Sequence, residues 1–310
     1  MPPSPSQPAP PNARGPLAWL NRQPYLLLSL TALFWAGNIV VGRHAAGHVP
    51  PIALAFLRWA GAIGILLPFA WPHLVRERAL IRQHLGTLIL LSASGIAVYQ
   101  VISYGALAYT QAINGLLIQS SGPLFIALWA LVLFGARLTL AQAFGIALSL
   151  TGVLVIVLRG DLATVRTLTL NPGDVWFLIG MIVFGFYSAL RRPPLHLMSV
   201  LTVTAALGAL MLLPLFIWDI ANGARLHADL STVATLVYVA TMPSALAYLF
   251  FNRGVELIGP NRAAPFFHLQ PVFGSVLAMI FLNETLQLFH LIGYVLVLAG
   301  IAIAARSRAH

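Results

Sequence analysis

The sequence predicts an all-α polytopic membrane protein whose ten transmembrane helices form two inverted five-helix repeats around a central cavity. Three observations favour this fold: an apolar composition, ten apolar runs, and an internal repeat. Hydrophobic residues make up 59% of the 310 positions, and charged residues only 8%. Soluble domains carry about 25% charged residues. The composition therefore indicates a chain that lies mostly in lipid.

The apolar runs define the elements. A helix of about 20 apolar residues crosses a hydrocarbon core of roughly 30 Å. The first five runs are Tyr25–Ala46, Ile52–Trp71, Gly86–Ala108, Ala112–Phe134 and Ala141–Leu158. The second five are Gly173–Leu190, Leu195–Trp218, Leu230–Phe251, Ala263–Leu282 and Gln287–Ala305. Their spacing predicts two repeats, over 25–158 and 173–305, joined by an external linker over 159–172.

The two ends of the chain are predicted to be cytoplasmic tails, covering 1–24 and 306–310. The first begins MPPSPSQPAPPNARGP, which is proline-rich and lacks the apolar core of a secretory signal. This composition is typical of a disordered segment.

Arginine sets the orientation, because cytoplasmic loops of membrane proteins carry an excess of basic residues. With the N-terminus inside, twelve arginines fall in inner segments and four in outer loops, while Arg58 lies within the second run. Both termini are therefore expected on the cytoplasmic side of a bacterial-type inner membrane.

The internal repeat appears when the sequence is shifted by 148 positions. This one offset aligns Pro123 with Pro271, and it also aligns two glycine pairs further on. The glycine pairs are Gly145 with Gly293 and Gly152 with Gly300. Each unit holds five spans, and an odd number reverses direction, so the second copy is expected upside down. Inverted repeats of this kind are common in secondary transporters, which bind substrate near the midplane.

The stretch Pro260–Phe281 is expected to form one wall of the cavity. Pro265 and Pro271 lack backbone N–H donors and should kink the helix beside His268 and Gln270. Irregular polar backbone at membrane depth persists only where protein buries it or a cavity adjoins it.

Three short motifs resemble the drug/metabolite transporter superfamily, specifically its EamA-type family. They are Phe34–Asn38 (FWAGN), Phe56–Ala60 (FLRWA) and Phe281–Leu286 (FLNETL). The resemblance covers about residues 25–305 and is nearest to the YddG-type exporters of amino acids. It implies a ten-span inner-membrane exporter of small metabolites. The Gly-Glu turn of the family after the fourth span is here Gly135-Ala136-Arg137, so the acid remains only at Glu284.

The candidate substrate-binding residues are neutral polar or aromatic side chains at one depth. They are Trp35, Asn38, Tyr99, Ser103, Gln119, Tyr248, Asn252, His268 and Gln270. Each also has a structural alternative, an interhelical hydrogen bond, or for His268 a bond to a carbonyl freed by Pro271. Arg58 either extends outward to the membrane surface, bonds backbone carbonyls left free by neighbouring prolines, or holds a substrate carboxylate.

The acidic residues limit the mechanism. All seven lie in loops or at span ends, so a carboxylate relay at mid-membrane is not expected, and transport should be facilitative. The chain has no cysteine, which excludes thiolate chemistry. We expect no metal, no cofactor and no nucleic-acid partner.

The expected function is export of small neutral or zwitterionic metabolites, amino acids first among them, by alternating access. The expected state is a monomer or weak homodimer in a lipid bilayer. The principal alternative is a multidrug or other metabolite exporter driven by proton antiport. A channel and a polytopic membrane enzyme are distant alternatives, the latter because the sequence has no Asp-rich motif and no Gly-x-Ser-x-Gly motif.

Overall fold

The computed structural model describes residues 19–135, 139–161, 170–258 and 264–306. Within these ranges the regular structure is helical, without strands. Seven helices are long and apolar enough to cross a membrane, or eight if the bent pair Ala112–Gln119 and Leu124–Phe134 forms one span. Two shorter apolar helices, Phe266–Leu282 and Leu288–Ile303, lie at the ninth and tenth predicted positions. Most of both predicted tails and of the linker falls outside the described residues.

The helices are numbered here in chain order. The first half contains α1 (Pro24–Ala45), α2 (Pro51–Arg76), α3 (Arg78–Gln83), α4 (Leu85–Ser92), α5 (Tyr99–Leu107), α6 (Ala112–Gln119), α7 (Gly122–Phe134) and α8 (Leu140–Val157). The second half contains α9 (Pro172–Ala189), α10 (Leu197–Ala221), α11 (Leu230–Ala240), α12 (Ala247–Ile258), α13 (Leu269–Leu282) and α14 (Leu288–Arg306). A π-helical turn joins α4 to α5, and another joins α11 to α12.

Local backbone features recur 148 positions apart. The two π-helical turns are Ala93–Val98 and Thr241–Leu246. The helices α7 and α13 both end at a left-handed residue, Gly135 with φ 62° and Asn283 with φ 54°. The residue types at these equivalent ends differ, but their backbone conformations agree. The 148-residue offset found from prolines and glycines therefore also relates the backbone conformations of the two halves.

The ninth predicted span is interrupted at His268, near the predicted place but in a different way. A 3₁₀ turn over Ala264–His268 precedes α13. Pro271 lies in the first turn of α13, where a helix tolerates proline because the N–H would have no partner. The backbone carbonyl of His268 accepts a hydrogen bond from the Tyr294 hydroxyl at 2.8 Å.

The helices α8 and α14, which are equivalent under the repeat, cross antiparallel at glycines. A Cβ on Gly152 would lie 2.6 Å from the carbonyl oxygen of Gly293, and one on Gly300 would lie 2.4 Å from that of Gly145. Small residues let helix backbones approach in this way. The earlier residue of one helix meets the later residue of the other, so the two helices run in opposite directions.

The equivalent helices α2 and α10 also pack against each other. The rings of Phe56 and Phe216 stack with centroids 4.8 Å apart, and Leu66 packs in one cluster with Leu201. This pair is therefore antiparallel as well. The helix α1 packs against α12 and α13, as α9 packs against α5 and α7. Large apolar side chains such as Phe69 and Trp218 are exposed around the outside, which suits contact with lipid.

Candidate functional site

Arg58 is the centre of a buried polar cluster. It lies on α2 with 3% of its surface exposed. Its Nε donates to Ser244 Oγ at 2.7 Å, and its Nη1 contacts three further oxygen acceptors. These acceptors are Asn38 Oδ1 at 3.1 Å, Gln100 Oε1 at 3.1 Å and the Tyr104 hydroxyl at 2.9 Å. Four helical segments from both halves of the chain thus meet at one guanidinium group.

The local backbone explains two of these contacts. Ser244 lies in the π-helical turn Thr241–Leu246, and its hydroxyl donates to the carbonyl of Val239, five residues back. The same oxygen accepts from Arg58. The Tyr104 hydroxyl donates to Asn38 Oδ1 at 2.8 Å while accepting from Arg58. Each of the two hydroxyls therefore donates one hydrogen bond and accepts one from Arg58.

The charge of Arg58 is unusual in this setting. Every hydrogen-bond partner that the described parts of the chain provide for Arg58 is neutral. In the same residues the ion pair that forms is Arg253 with Glu256, at 2.8 Å on the exposed side of α12. A buried charge is costly without an opposite charge, so the cluster is suited to receive an anionic group.

An aromatic pocket lies around Trp35. The Trp35 ring is 5.7 Å from Tyr248, 5.6 Å from Phe251 and 5.4 Å from Phe267, measured between ring centroids. Its Nε1 donates to the carbonyl of Pro243 at 3.1 Å, next to Ser244 of the Arg58 cluster. The pocket is small and also lined by Thr31 and Gln270, among others.

The pair Gln119 and Gln270 bridges the two halves. Gln119 Nε2 donates to Gln270 Oε1 at 3.3 Å, while the buried Oε1 of Gln119 has no partner among the described residues. Gln119 ends α6 just before the chain bends by 42° into α7. The bend places this amide at the boundary between the repeats, beside the pocket that Gln270 lines.

Four predicted residues lie elsewhere or have structural partners. Tyr99 and Ser103 face α9, where a Cβ on Gly180 would lie 3.3 Å from Ser103 Oγ. Asn252 donates to the carbonyl of Tyr248 at 2.7 Å within its own helix, so this bond is not the interhelical one given as the structural alternative. His268 is half-buried and contributes its backbone carbonyl to Tyr294.

The structure thus brings Asn38 and Arg58 together. It also places Trp35 and Gln270 in the lining of the adjacent pocket, with Tyr248 packed against the Trp35 ring. Sequence reasoning missed Gln100, Tyr104 and Ser244. Gln100 and Tyr104 are four residues apart, so they share one face of the third span, and this spacing was an available signal. No group of three histidine, aspartate or glutamate side chains in the described residues is arranged to hold a metal ion.

A helical apolar exterior with a buried polar centre defines a polytopic membrane protein. The model of the EamA-like transporter family matches residues 22–158 and again 171–306. The chain belongs to that family and is a membrane transporter. The double match shows that each half of the chain corresponds to one family unit.

Similar proteins extend over nearly the whole chain. An uncharacterized transporter of Archaeoglobus fulgidus is 30% identical over 91% of this chain and 97% of its own. A probable amino-acid metabolite efflux pump of Salmonella typhimurium is 28% identical over 92% of this chain and 95% of its own. A solved crystal structure is 19% identical, with a TM-score of 0.59 over 91% of this chain and 97% of that one. This likeness to a solved structure concerns the fold.

Proposed function

We propose that the protein exports amino acids, or similar small zwitterionic or neutral metabolites, across a bacterial-type inner membrane. The observation that carries this proposal is Arg58, a buried cation whose described partners are all neutral. A guanidinium group binds a carboxylate through parallel hydrogen bonds. The name of the Salmonella relative, an amino-acid metabolite efflux pump, supports the same substrate class.

The aromatic pocket supplies the second half of the recognition. Trp35 connects it to the Arg58 cluster, because its indole N–H bonds Pro243 and the next residue, Ser244, bonds Arg58. Ligand sites are mostly apolar, with a few placed polar groups that fix orientation. A solute could place its carboxylate at Arg58 and its body against Trp35, Tyr248 and Gln270.

The proposed transport cycle is alternating access between two inverted five-helix halves of ten spans. Its support is the antiparallel crossing of the equivalent pairs α8 with α14 and α2 with α10. Two halves related by an axis in the membrane plane can exchange conformations and open the centre to either side. The Arg58 cluster contains no carboxylate that could carry a proton, so we propose movement down the solute gradient.

Counterflow with the purified protein in proteoliposomes tests the substrate class. A panel of amino acids is compared with the corresponding carboxamides, in which a neutral amide replaces the carboxylate. We expect Arg58→Gln to reduce amino-acid counterflow at least 10-fold, because loss of a hydrogen bond to a charged group costs about 1.5 to 3 kcal/mol. Arg58→Lys should retain part of the activity, since it keeps the charge without the planar fork.

Carboxamide transport separates the two roles of Arg58. If the residue were only structural, both variants would lose amino acids and carboxamides equally, and the carboxylate assignment would be wrong. The same counterflow measurement on Tyr248→Ala, Gln119→Ala and His268→Ala tests whether each of these side chains contributes to solute binding. Flux that collapses when a proton gradient is removed, while the solute gradient persists, would favour the proton-driven alternative.

A further inference from the structure

A second buried polar group lies at the opposite end of α6 from Gln119, away from the Arg58 cluster. We call it the polar clasp, and it consists of Thr110, Asn114, Asp174, Glu284 and His290. Asp174 and His290 are fully buried, and Glu284 is 9% exposed. The residues come from α6, α9, α14 and two connecting segments. The clasp therefore joins the two halves of the chain at one end of the bundle.

The hydrogen bonds of the clasp form a chain in which His290 donates to Asn114 and Asn114 donates to Asp174. Asn114 Nδ2 donates to both oxygens of Asp174, at 3.0 and 3.1 Å, and the Thr110 hydroxyl donates to the same carboxylate. The amide oxygen of Asn114 is then left as the acceptor for His290 Nε2, 2.7 Å away. His290 must carry its proton on Nε2.

The other ring nitrogen of His290 has a fixed role too. Nδ1 accepts a hydrogen bond from the backbone N–H of Gln287 at 2.9 Å, which caps the start of α14. A proton added to Nδ1 would face that N–H, and two donors cannot bond each other. The closed clasp therefore holds His290 in its neutral form, and protonation must break the cap of α14.

Nearby charges act on the same ring. Arg159, at the end of α8, lies close enough to act electrostatically on both Asp174 and His290, and its neighbour Gly160 packs against Phe289. Glu284 accepts from the backbone N–H groups of Ala112 and Ile113 at 2.7 and 2.9 Å. The carboxylates hold the segments together, while Arg159 would repel a protonated His290.

The repeat makes this arrangement one-sided. The positions 148 residues before Asp174, Glu284 and His290 hold Leu26, Ala136 and Gln142. None of these three side chains titrates. Gln142 performs the capping task without a titratable group, because its Oε1 accepts from the backbone N–H of Thr139 at 2.9 Å. The three titratable side chains of the clasp thus have no titratable counterpart at the positions equivalent under the repeat.

We propose that the Asp174–Asn114–His290 chain is a proton-binding site that regulates opening of the outer end of the transporter. The inference rests on the proposed function in two respects. The transporter must open alternately to the two sides, and the first residues of α9 and α14 must lie at the outer side of the membrane. External acid favours the open form, since only an open clasp can accept a proton on Nδ1. The proton acts as a regulator, and solute export needs no fixed proton stoichiometry.

The size of the effect follows from linkage. If the closed form takes no proton and the open form titrates as free histidine does, near pH 6.5, acidification from about pH 7.5 to 5 shifts the balance roughly 30-fold. Without cysteine in the chain, Ser103→Cys gives a single buried reporter, 3% exposed in the wild type. Its labelling by a membrane-impermeant thiol reagent measures opening and needs no transported solute.

In proteoliposomes we expect external acid to raise the labelling rate of Ser103→Cys by about 10- to 30-fold, after correction for thiol ionisation in a model thiol. His290→Gln introduces the residue type found at the equivalent position 142 and should limit the acid-induced change in labelling rate to less than about twofold. His48→Gln, which removes an exposed histidine near α2, should behave as wild type. Asp174→Asn should raise labelling already at neutral pH by weakening the anchor of Asn114.

Full acid response in a folded His290→Gln protein, or no response in the wild type, overturns the inference. A response to acid in the inner compartment instead overturns the outer location of the clasp. Amino-acid counterflow on the same vesicles judges the proposed function separately, since labelling can respond to pH whichever solute is carried.

Discussion

At the scale of single residues, the contrast between Arg58 and the acidic side chains defines the chemistry. Asp174 and Glu284 are buried but bonded to amide and hydroxyl donors at helix starts, where such groups stabilise a carboxylate. Arg58 is buried among neutral acceptors. The negative groups are thus satisfied at an end of the bundle, while the positive group is free of described anions at its centre. This separation favours a solute that brings its own carboxylate.

Glu77 gives a prediction for pH dependence outside the membrane-spanning segments. The backbone N–H of His196 donates to its two oxygens at 3.0 and 3.2 Å, linking the end of α2 to the start of α10. Partial burial acts to raise the pKa of Glu77, but the nearby Ser199 side chain and the hydrogen bond from the backbone N–H of His196 outweigh burial and leave that pKa below its usual range. The ionised carboxylate therefore stabilises the folded protein above about pH 4.3. This contribution is lost as the pH falls through the lowered pKa.

Glu77→Gln should lower the thermal unfolding midpoint in detergent at pH 7, and the difference from wild type should shrink below about pH 4. The matched control is Glu256→Gln, whose exposed carboxylate pairs with Arg253 on the surface of α12. Exposed ion pairs contribute about 0 to 1 kcal/mol, so the control should change little at either pH. An unchanged difference across the whole pH range would contradict the assignment.

At the scale of helices, the sequence predicted where each helix lies along the chain better than it predicted which helices contact each other. The second run, Ile52–Trp71, corresponds to α2 at Pro51–Arg76, because length and apolar composition set where a span lies. Which faces meet could not be predicted, since helices that are apolar all round carry little periodic signal. Ser244 was missed for this reason, and because a π-helical turn alters the face on which it lies.

The crossing of α8 and α14 gives a prediction about packing. A Cβ on Gly152 would lie 2.6 Å from a carbonyl oxygen and 2.8 Å from a backbone nitrogen of α14, and backbone cannot move aside as a flexible side chain can. Gly152→Ala should therefore destabilise the fold by about 1 to 3 kcal/mol, as overpacking does. The control is Gly64→Ala in α2, where an added Cβ meets nothing within 4 Å.

Thermal unfolding in detergent, together with the fraction that elutes as a monodisperse peak, measures both variants. Gly64→Ala should be neutral or slightly stabilising, because alanine is a better helix former than glycine. Equal behaviour of the two variants would mean that α8 and α14 are not in contact through their glycines.

At the scale of the whole molecule, the internal repeat is the strongest information in the sequence. One offset predicted from prolines and glycines recurs in the π-helical turns and in the left-handed ends of α7 and α13. The site could not be inferred in the same way. It depends on residues that break the repeat, such as Arg58, whose equivalent is Ala206. Symmetry therefore predicts the scaffold, and departures from symmetry carry the chemistry.

Inversion of the halves predicts that equivalent residues face opposite sides of the membrane. Tyr109 and Leu257 are 148 positions apart, as are Gln83 and Ser231, and all four are exposed. Each of the four can be replaced by cysteine, one at a time, and the new cysteine is then the only one in the chain, because the natural sequence contains none. With cytoplasmic termini, an impermeant thiol reagent should label Tyr109→Cys and Ser231→Cys in intact cells. Gln83→Cys and Leu257→Cys should react only after the membrane is opened, whereas labelling of both members of either pair from the same side would contradict the inverted arrangement.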